Sequence, residues 1–315
     1  MIRVIDLGDN SEREATAKAL QSLEFEHVWF ELVDPSVEEL EAVAEKTAIP
    51  TDLLRLPEVS NFINLRLEPE YGLMNFVVVH DILESKDIRP IVIAFSKNFL
   101  VTVVKGNEQH VVGMVKARLN KARVDPPALV AYYLLDEIVS DHFAHLEKIE
   151  ELTATMEEEI LEKPQQATLR RVFKLKSRLV SFNKILWYER GLIFNLKRSE
   201  IDCLPAKARN LFDTAHEYLT RQIDIVETYR EILSDAINAY LSTVSNRINA
   251  SIRSLTFVMF YLTIITTITS FPNTVATFFG ISQFGTTDYR IIYLAMILSI
   301  VLPFLWLWKR KWLKL

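Results

Sequence analysis

Residues 255–279 form a run of 25 without a single Asp, Glu, Lys, Arg or His, and residues 291–308 form a second such run. At about 1.5 Å per helical residue the two reach roughly 37 and 27 Å, enough to cross a hydrocarbon layer of about 30 Å once tilt is allowed. A wholly soluble protein is excluded on that ground. Nearly all the charge of the chain lies before Arg253. The first roughly 250 residues are therefore expected to form a cytosolic body large enough for its own core. The opening MIRVIDLGDN lacks the apolar stretch of a signal peptide, which fits a cytosolic start.

The basic flanks set the expected orientation. Arg247 and Arg253 precede the first apolar run and Lys309, Arg310, Lys311 and Lys314 follow the second, whereas residues 280–290 carry only Asp288 and Arg290. Because positive residues stay inside, both termini should face the cytoplasm, in a multi-pass protein of the cell (inner) membrane. Trp306, Trp308 and Trp312 are placed to anchor the inner interface. A net charge of −5 argues against a nucleic-acid partner, and the single Cys203 excludes an intramolecular disulfide.

In the soluble part, residues 2–7, 27–33, 61–67, 74–83, 88–95 and 99–104 read as strands. A helix is expected over 35–48, with Asp34 as N-cap and Pro35 as first residue, and another over 109–119. Short turns such as Glu70-Tyr71-Gly72 and Ser96-Lys97-Asn98 imply antiparallel neighbours, giving a mixed α/β domain over 1–125. From Pro127 the pattern turns helical, with Pro164 and Pro205 as the breaks. The third helix has no Pro or Gly between Ala206 and Phe271, so one helix of about 110 Å can run from the cytosol to the outer face. It must pack on its preceding helices or on copies of itself.

Within the first apolar run, Thr256, Thr263, Ser270 and Thr277 recur every seven residues, with Met259, Thr266 and Asn273 three residues after the first three of them. Six of these seven are polar, against three of the other 18 residues of the run, so one side of the helix is singled out. Upstream the register passes through Asp224, Glu231, Asp235, Asn238, Ser242, Ser245, Asn249 and Ile252. A seven-residue repeat faces a common axis in a left-handed bundle, and a polar stripe on a membrane-crossing helix must face protein or water. Two readings stay open: hydroxyls that bond back to their own helix or glue two helices together, or a pore built by several copies. Uncharged oxygens suit a hydrated hard cation, since Mg²⁺ sheds its water reluctantly.

The segments YYLLDEIVSDHFAHLEKIEELTATMEEEILEKP (132–164) and VETYREILSDAINAYLSTVSNRIN (226–249), two C-terminal apolar runs and a Lys/Arg tail resemble the CorA family of divalent-cation channels and transporters. The resemblance implies a funnel-shaped homopentamer in a lipid bilayer. Residues 1–125 would be the cytosolic α/β domain, 126–254 the helical stalk, 255–279 the pore-lining first span, 280–290 the outer loop, 291–308 the second span and 309–315 the basic tail. Family members carry Mg²⁺, Co²⁺ or Ni²⁺, and the ZntB branch carries Zn²⁺. Read with the stripe, the expected pore lining is Asn249, Thr256, Thr263, Thr266, Ser270, Asn273 and Thr277 and the expected hydrophobic gate is Ile252, Leu255 and Met259, of which the resemblance itself implies Asn249, Ile252 and Leu255. The family signature Gly-Met-Asn, Gly-Ile-Asn in the ZntB branch, stands here as Gly280-Ile281-Ser282, so a shorter hydroxyl replaces the amide at the selectivity loop. The family's acidic stalk position falls on Asn238, and the site between subunits aligns near Asp213 and Thr214. A regulatory metal set is expected at Asp213, Glu217, Asp224 and Glu231.

His142 and His145, beside Asp141, are an i, i+3 imidazole pair that fits either a metal or a packing role. Glu157, Glu158, Glu159 and Glu162 either concentrate cations or form a solvated face. No phosphate loop, nucleophile elbow or His-Glu-x-x-His motif is present, so no enzyme and no resident cofactor is expected. The expected function is divalent cation transport, with Mg²⁺ uptake down the electrochemical gradient as the main reading. The alternatives are ZntB-like Zn²⁺ transport and a non-conducting pentameric scaffold or sensor.

Overall fold

The computed structural model describes residues 1–9, 11–20, 26–57, 63–82, 88–106, 109–119, 126–162, 164–199, 203–204, 206–279 and 289–309. It divides into two compact units, Met1–Tyr240 and Leu241–Leu315.

The first unit begins with β1 (Ile2–Asp6), β2 (Glu12–Ala15), the single turn α1 (Ala17–Leu20), β3 (Val28–Val33), α2 (Val37–Thr47) and α3 (Thr51–Leu54). A meander of β4 (Asn64–Leu67), β5 (Tyr71–Val79), β6 (Ile88–Ser96) and β7 (Phe99–Val104) follows, closed by α4 (Gln109–Leu119). The strands form one sheet in the order β2-β1-β3-β7-β6-β5-β4. All neighbours are antiparallel except β3 and β7, which run parallel. The expected α/β class and antiparallel meander are thus present.

Both faces of the sheet are covered, which is why its central strands are apolar on both sides of the pleat. Along β6, Ile91, Ile93 and Phe95 join one core while Val92 and Ala94 join the other. The second core is closed by α1 to α3 through Leu20, Leu40, Val43 and Leu54. The first is closed by α4 and by α5 (Pro127–Glu162), which lies on β5, β6 and β7. Trp29 on β3 is fully buried, and its indole N–H donates to the Thr102 hydroxyl at 2.9 Å. Glu31, 1% exposed, is matched by Lys116 of α4 at 2.7 Å and Arg3 of β1 at 3.6 Å, so its buried charge is paired.

The helix after β3 starts later than its sequence suggests. Ser36, not Asp34, is the N-cap: its hydroxyl accepts from the Glu39 N–H and the Glu39 carboxylate accepts from the Ser36 N–H, a capping box. Pro35 lies outside the helix. Asp34 has a positive φ of 43° and accepts from the Gly106 N–H at 2.9 Å, tying the end of β3 to the end of β7. Tyr71 and Gly72, read as part of a turn, open β5 instead, paired with Ser96 and Phe95. The expected strand at 74–83 accordingly begins three residues earlier and ends at Val79. The charged β2 and the one-turn helices α1 and α3 carry too little periodicity to be read from sequence.

From Pro127 the described elements are helices, as expected: α5, α6 (Gln166–Arg198) and α7 (Ala206–Phe279). Leu175, Leu179, Phe182 and Leu186 of α6 and Phe212, Ala215, Leu219, Val226 and Leu233 of α7 complete the first core, with Ile149, Met156 and Ile160 of α5. The hairpin between α5 and α6 is pinned by Glu159, which accepts from Arg171 at 2.9 Å and from Thr168 at 2.9 Å. Cys203 is buried at the junction before α7. The second unit holds the apolar part of α7 and α8 (Tyr289–Lys309).

Candidate functional site

The site is built on α7, a single helix of 74 residues. Its buried positions in the first unit, Phe212, Leu219, Val226 and Leu233 with Ala215, Gln222 and Ala236, repeat every seven residues. Between them runs a second seven-residue series that stays exposed: Glu217, Asp224, Glu231, Asn238, Ser245, Ile252, Met259, Thr266 and Asn273. Asp235, Ser242, Asn249, Thr256, Thr263, Ser270 and Thr277 accompany it and are also exposed. The series is acidic up to Asp235 and uncharged from Asn238 onward. Leu255 is exposed beside it.

In the apolar stretch the threonine hydroxyls donate to the carbonyl four residues back: Thr256 to Ile252 at 2.8 Å, Thr263 to Met259 at 2.8 Å, Thr266 to Leu262 at 2.9 Å and Thr277 to Asn273 at 2.7 Å. A hydroxyl has one proton and two lone pairs, so each of these oxygens is left facing outward as an acceptor. Thr267, Thr269 and Thr274, off the stripe, make the same bond. The bond therefore satisfies any hydroxyl on an apolar helix. What distinguishes the stripe is position, not bonding. Pro272 lies inside α7 and has no N–H, so the carbonyl of Ile268 lacks its usual helical donor.

Gly280, Ile281 and Ser282 lie outside the described residues. Asp213 is ion-paired with Lys197 of α6, and Glu217, Asp224 and Glu231 are exposed along α7. Among the described residues no three His, Cys, Asp or Glu side chains of one chain are placed to hold a metal. One described helix, Asn210–Thr277, is long and apolar enough to cross a membrane, and none of its apolar window is buried within the chain. Tyr293, Leu294 and Ile297 of α8 are exposed as well.

His142 and His145 take different surroundings. His145 lies 3.5 Å from Asp141 on its own helix. His142 is 1% exposed, set edge-on against Phe182 of α6 and 3.7 Å from Glu189, itself fully buried. Among the described residues, neither ring nitrogen of His142 and neither carboxylate oxygen of Glu189 has a hydrogen-bond partner. Burial, then the neighbouring His145, pushes the His142 imidazole down to about 3, and burial pushes the Glu189 carboxyl well above the usual carboxylate range. His142 is therefore neutral near pH 7, and Glu189 keeps its proton to a higher pH than an ordinary carboxyl. Gln222 of α7, fully buried beside them, donates to the Val139 carbonyl at 2.6 Å. Glu189 escaped the sequence reading because α6 looks basic and solvated. The available signal was its place in the seven-residue series Leu175, Phe182, Glu189, Leu196, whose other members are core residues.

Residues 25–311 match the family described as "CorA-like Mg2+ transporter protein". The chain belongs to the CorA family. Among curated relatives, the cobalt/magnesium transport protein CorA of Thermotoga maritima is 34% identical over 140 residues, 44% of this chain and 39% of that protein. The CorA of Methanocaldococcus jannaschii, also described as a cobalt/magnesium transport protein, is 22% identical over 291 residues, 90% of this chain and 88% of that one. The complete structure of the CorA magnesium transporter from the same organism superposes with a TM-score of 0.70 at 20% identity, covering 99% of this chain and 98% of that chain. The ZntB cytoplasmic domain of Vibrio parahaemolyticus superposes with a TM-score of 0.63 at 14% identity over 78% of this chain and 98% of that one. CorA-family proteins are metal-ion transporters, not enzymes, and the α/β domain with its long helix is the CorA fold.

Proposed function

We propose that the chain assembles as a homopentamer in the cell membrane, with both termini cytoplasmic and residues 291–308 as a second span, and conducts divalent cations, Mg²⁺ first among them. The observation that carries this reading is the unbroken exposed series on α7, whose threonine protons are committed to backbone carbonyls. The water around a cation points its hydrogens outward and needs acceptors; a wall of acceptor oxygens meets that need and offers an anion little. Thr256, Thr263, Thr266, Ser270, Asn273 and Thr277 would line the pore, Asn249 its cytosolic mouth, and Ile252, Leu255 and Met259 a dewetting gate. The acidic positions below, Glu217, Asp224 and Glu231 with Asp213, would raise local cation concentration or hold a regulatory ion between copies. An inside-negative potential of 100 mV favours entry of a divalent ion by about 4.6 kcal/mol.

Similarity to ZntB and the Ile281 of the signature loop favour Zn²⁺ as the second reading. Flux into proteoliposomes separates the two. Mg²⁺ entry blocked by hexaammine cobalt, a mimic of the hydrated ion, supports the first, and Zn²⁺ entry without Mg²⁺ entry supports the second. No flux of either ion from assembled protein would leave a membrane scaffold or sensor.

A further inference from the structure

The outward side of α6 carries its own seven-residue apolar series. Phe173, Val180, Trp187 and Phe194 are 52%, 48%, 51% and 42% exposed, about 120° around the helix from the buried side formed by Leu175, Leu179, Phe182 and Leu186. Four large apolar side chains in one row, two helical turns apart, form a seam about 32 Å long. A row of that spacing is the pattern of a helix that packs on another helix, and Phe and Trp are residue types that anchor interfaces. Arg190 stacks over the Trp187 ring at 4.0 Å and Arg198 over the Phe194 ring at 5.3 Å, so cations frame the seam.

Charge selects the partner. α6 holds nine Lys and Arg and one acid, Glu189, which is buried; α5 holds ten Asp and Glu and one Lys. Two α6 seams set against each other would bring Arg170, Lys184 and Arg198 of each copy together. The exposed side of α5, with Glu147, Glu151 and Glu158 around the small Ala144 and Ala154, has the opposite sign and room for large side chains. The heights agree as well. Within the α5/α6 hairpin Arg171 bonds Glu159, and counting along both antiparallel helices from there brings Arg170, Ser177 and Lys184 level, within a turn, with Glu158, Glu151 and Glu147. Copies arranged around an axis running along these helices stay at equal height.

We infer that the seam of α6 docks on the acidic face of α5 in a neighbouring copy of this chain, a head-to-tail contact of the kind that closes into a ring. The inference deepens the homo-oligomeric part of the proposed function and is independent of the ion.

The test uses full-length chains in a Cys203→Ala background, carrying two different tags. One population bears Ser177→Cys and the other Glu151→Cys; they are co-expressed and treated with a short bis-maleimide. Docking predicts a mixed dimer that is absent when either variant is expressed alone, and its loss when Arg170→Glu and Lys184→Glu are added to the Ser177→Cys chain. Native mass spectrometry on the same samples reports assembly separately. Assembled protein without the mixed dimer overturns the inference while leaving the oligomer intact. A dimer formed by the Ser177→Cys chain alone overturns it in favour of α6 against α6.

Discussion

Glu189 is buried 3.7 Å from His142 with no hydrogen bond among the described residues, and its pH response follows from the direction of its shift. A carboxyl that stays protonated when folded but ionises when unfolded makes folding less favourable as pH rises above the ordinary carboxylate range, until the raised folded value is reached. Glu189→Gln removes that penalty. Its gain in melting temperature should therefore grow as pH rises from about 5 toward the raised folded value. A gain independent of pH would show that Glu189 is ionised in the fold. His142 acts the other way: its folded value of about 3 lies below the 6.5 of an ordinary imidazole, so its share of stability is complete above pH 6.5 and lost as pH falls below it. Threonine supplies a second test at this scale. Thr263→Val deletes an outward acceptor at constant shape, whereas Thr263→Ser keeps it. Under the proposed pore, cation flux should fall for Val and persist for Ser; equal loss in both would mean that the residue packs.

At the scale of elements, β5 is constrained by a contact of its second residue. A Cβ on Gly72 would fall 2.5 Å from Cζ of Phe95, a ring that is fully buried and paired directly across the strand. Gly72→Ala should destabilise the first unit by about 1–3 kcal/mol, read by chemical denaturation. Loss of the capping hydroxyl in Ser36→Ala should cost about 1 kcal/mol on the same assay. These two sites also mark where the sequence is hard to read. The long helices and the apolar strands were legible because periodicity sustained over many residues outweighs local ambiguity. The start of α2 was not, since Asp34 and Ser36 are both good caps and only the contact of Asp34 with Gly106, 72 residues away, decides between them. Likewise Gly72 looks like a turn residue until its partner strand is known. The stripe on α7 was visible as a repeat, while the orphaned Glu189 was hidden among the basic residues of α6.

For the whole molecule, the 74 residues of α7 contain no loop between the acidic series and the polar stripe of the apolar run. Each helical residue turns the chain by about 100°. Under the proposed pore, the number of residues along the helix would therefore fix which side the threonines present. Length acts here as phase. Two alanines inserted after Leu241 would rotate everything beyond them by about 200° and turn the stripe away from whatever it faces, whereas seven would restore it to within about 20°. Flux should vanish for the first insertion and return for the second. Flux in both would mean that the two halves of the helix are aligned independently of each other. An ordinary surface loop absorbs such insertions silently; along this helix even one added residue resets the angle of every side chain downstream.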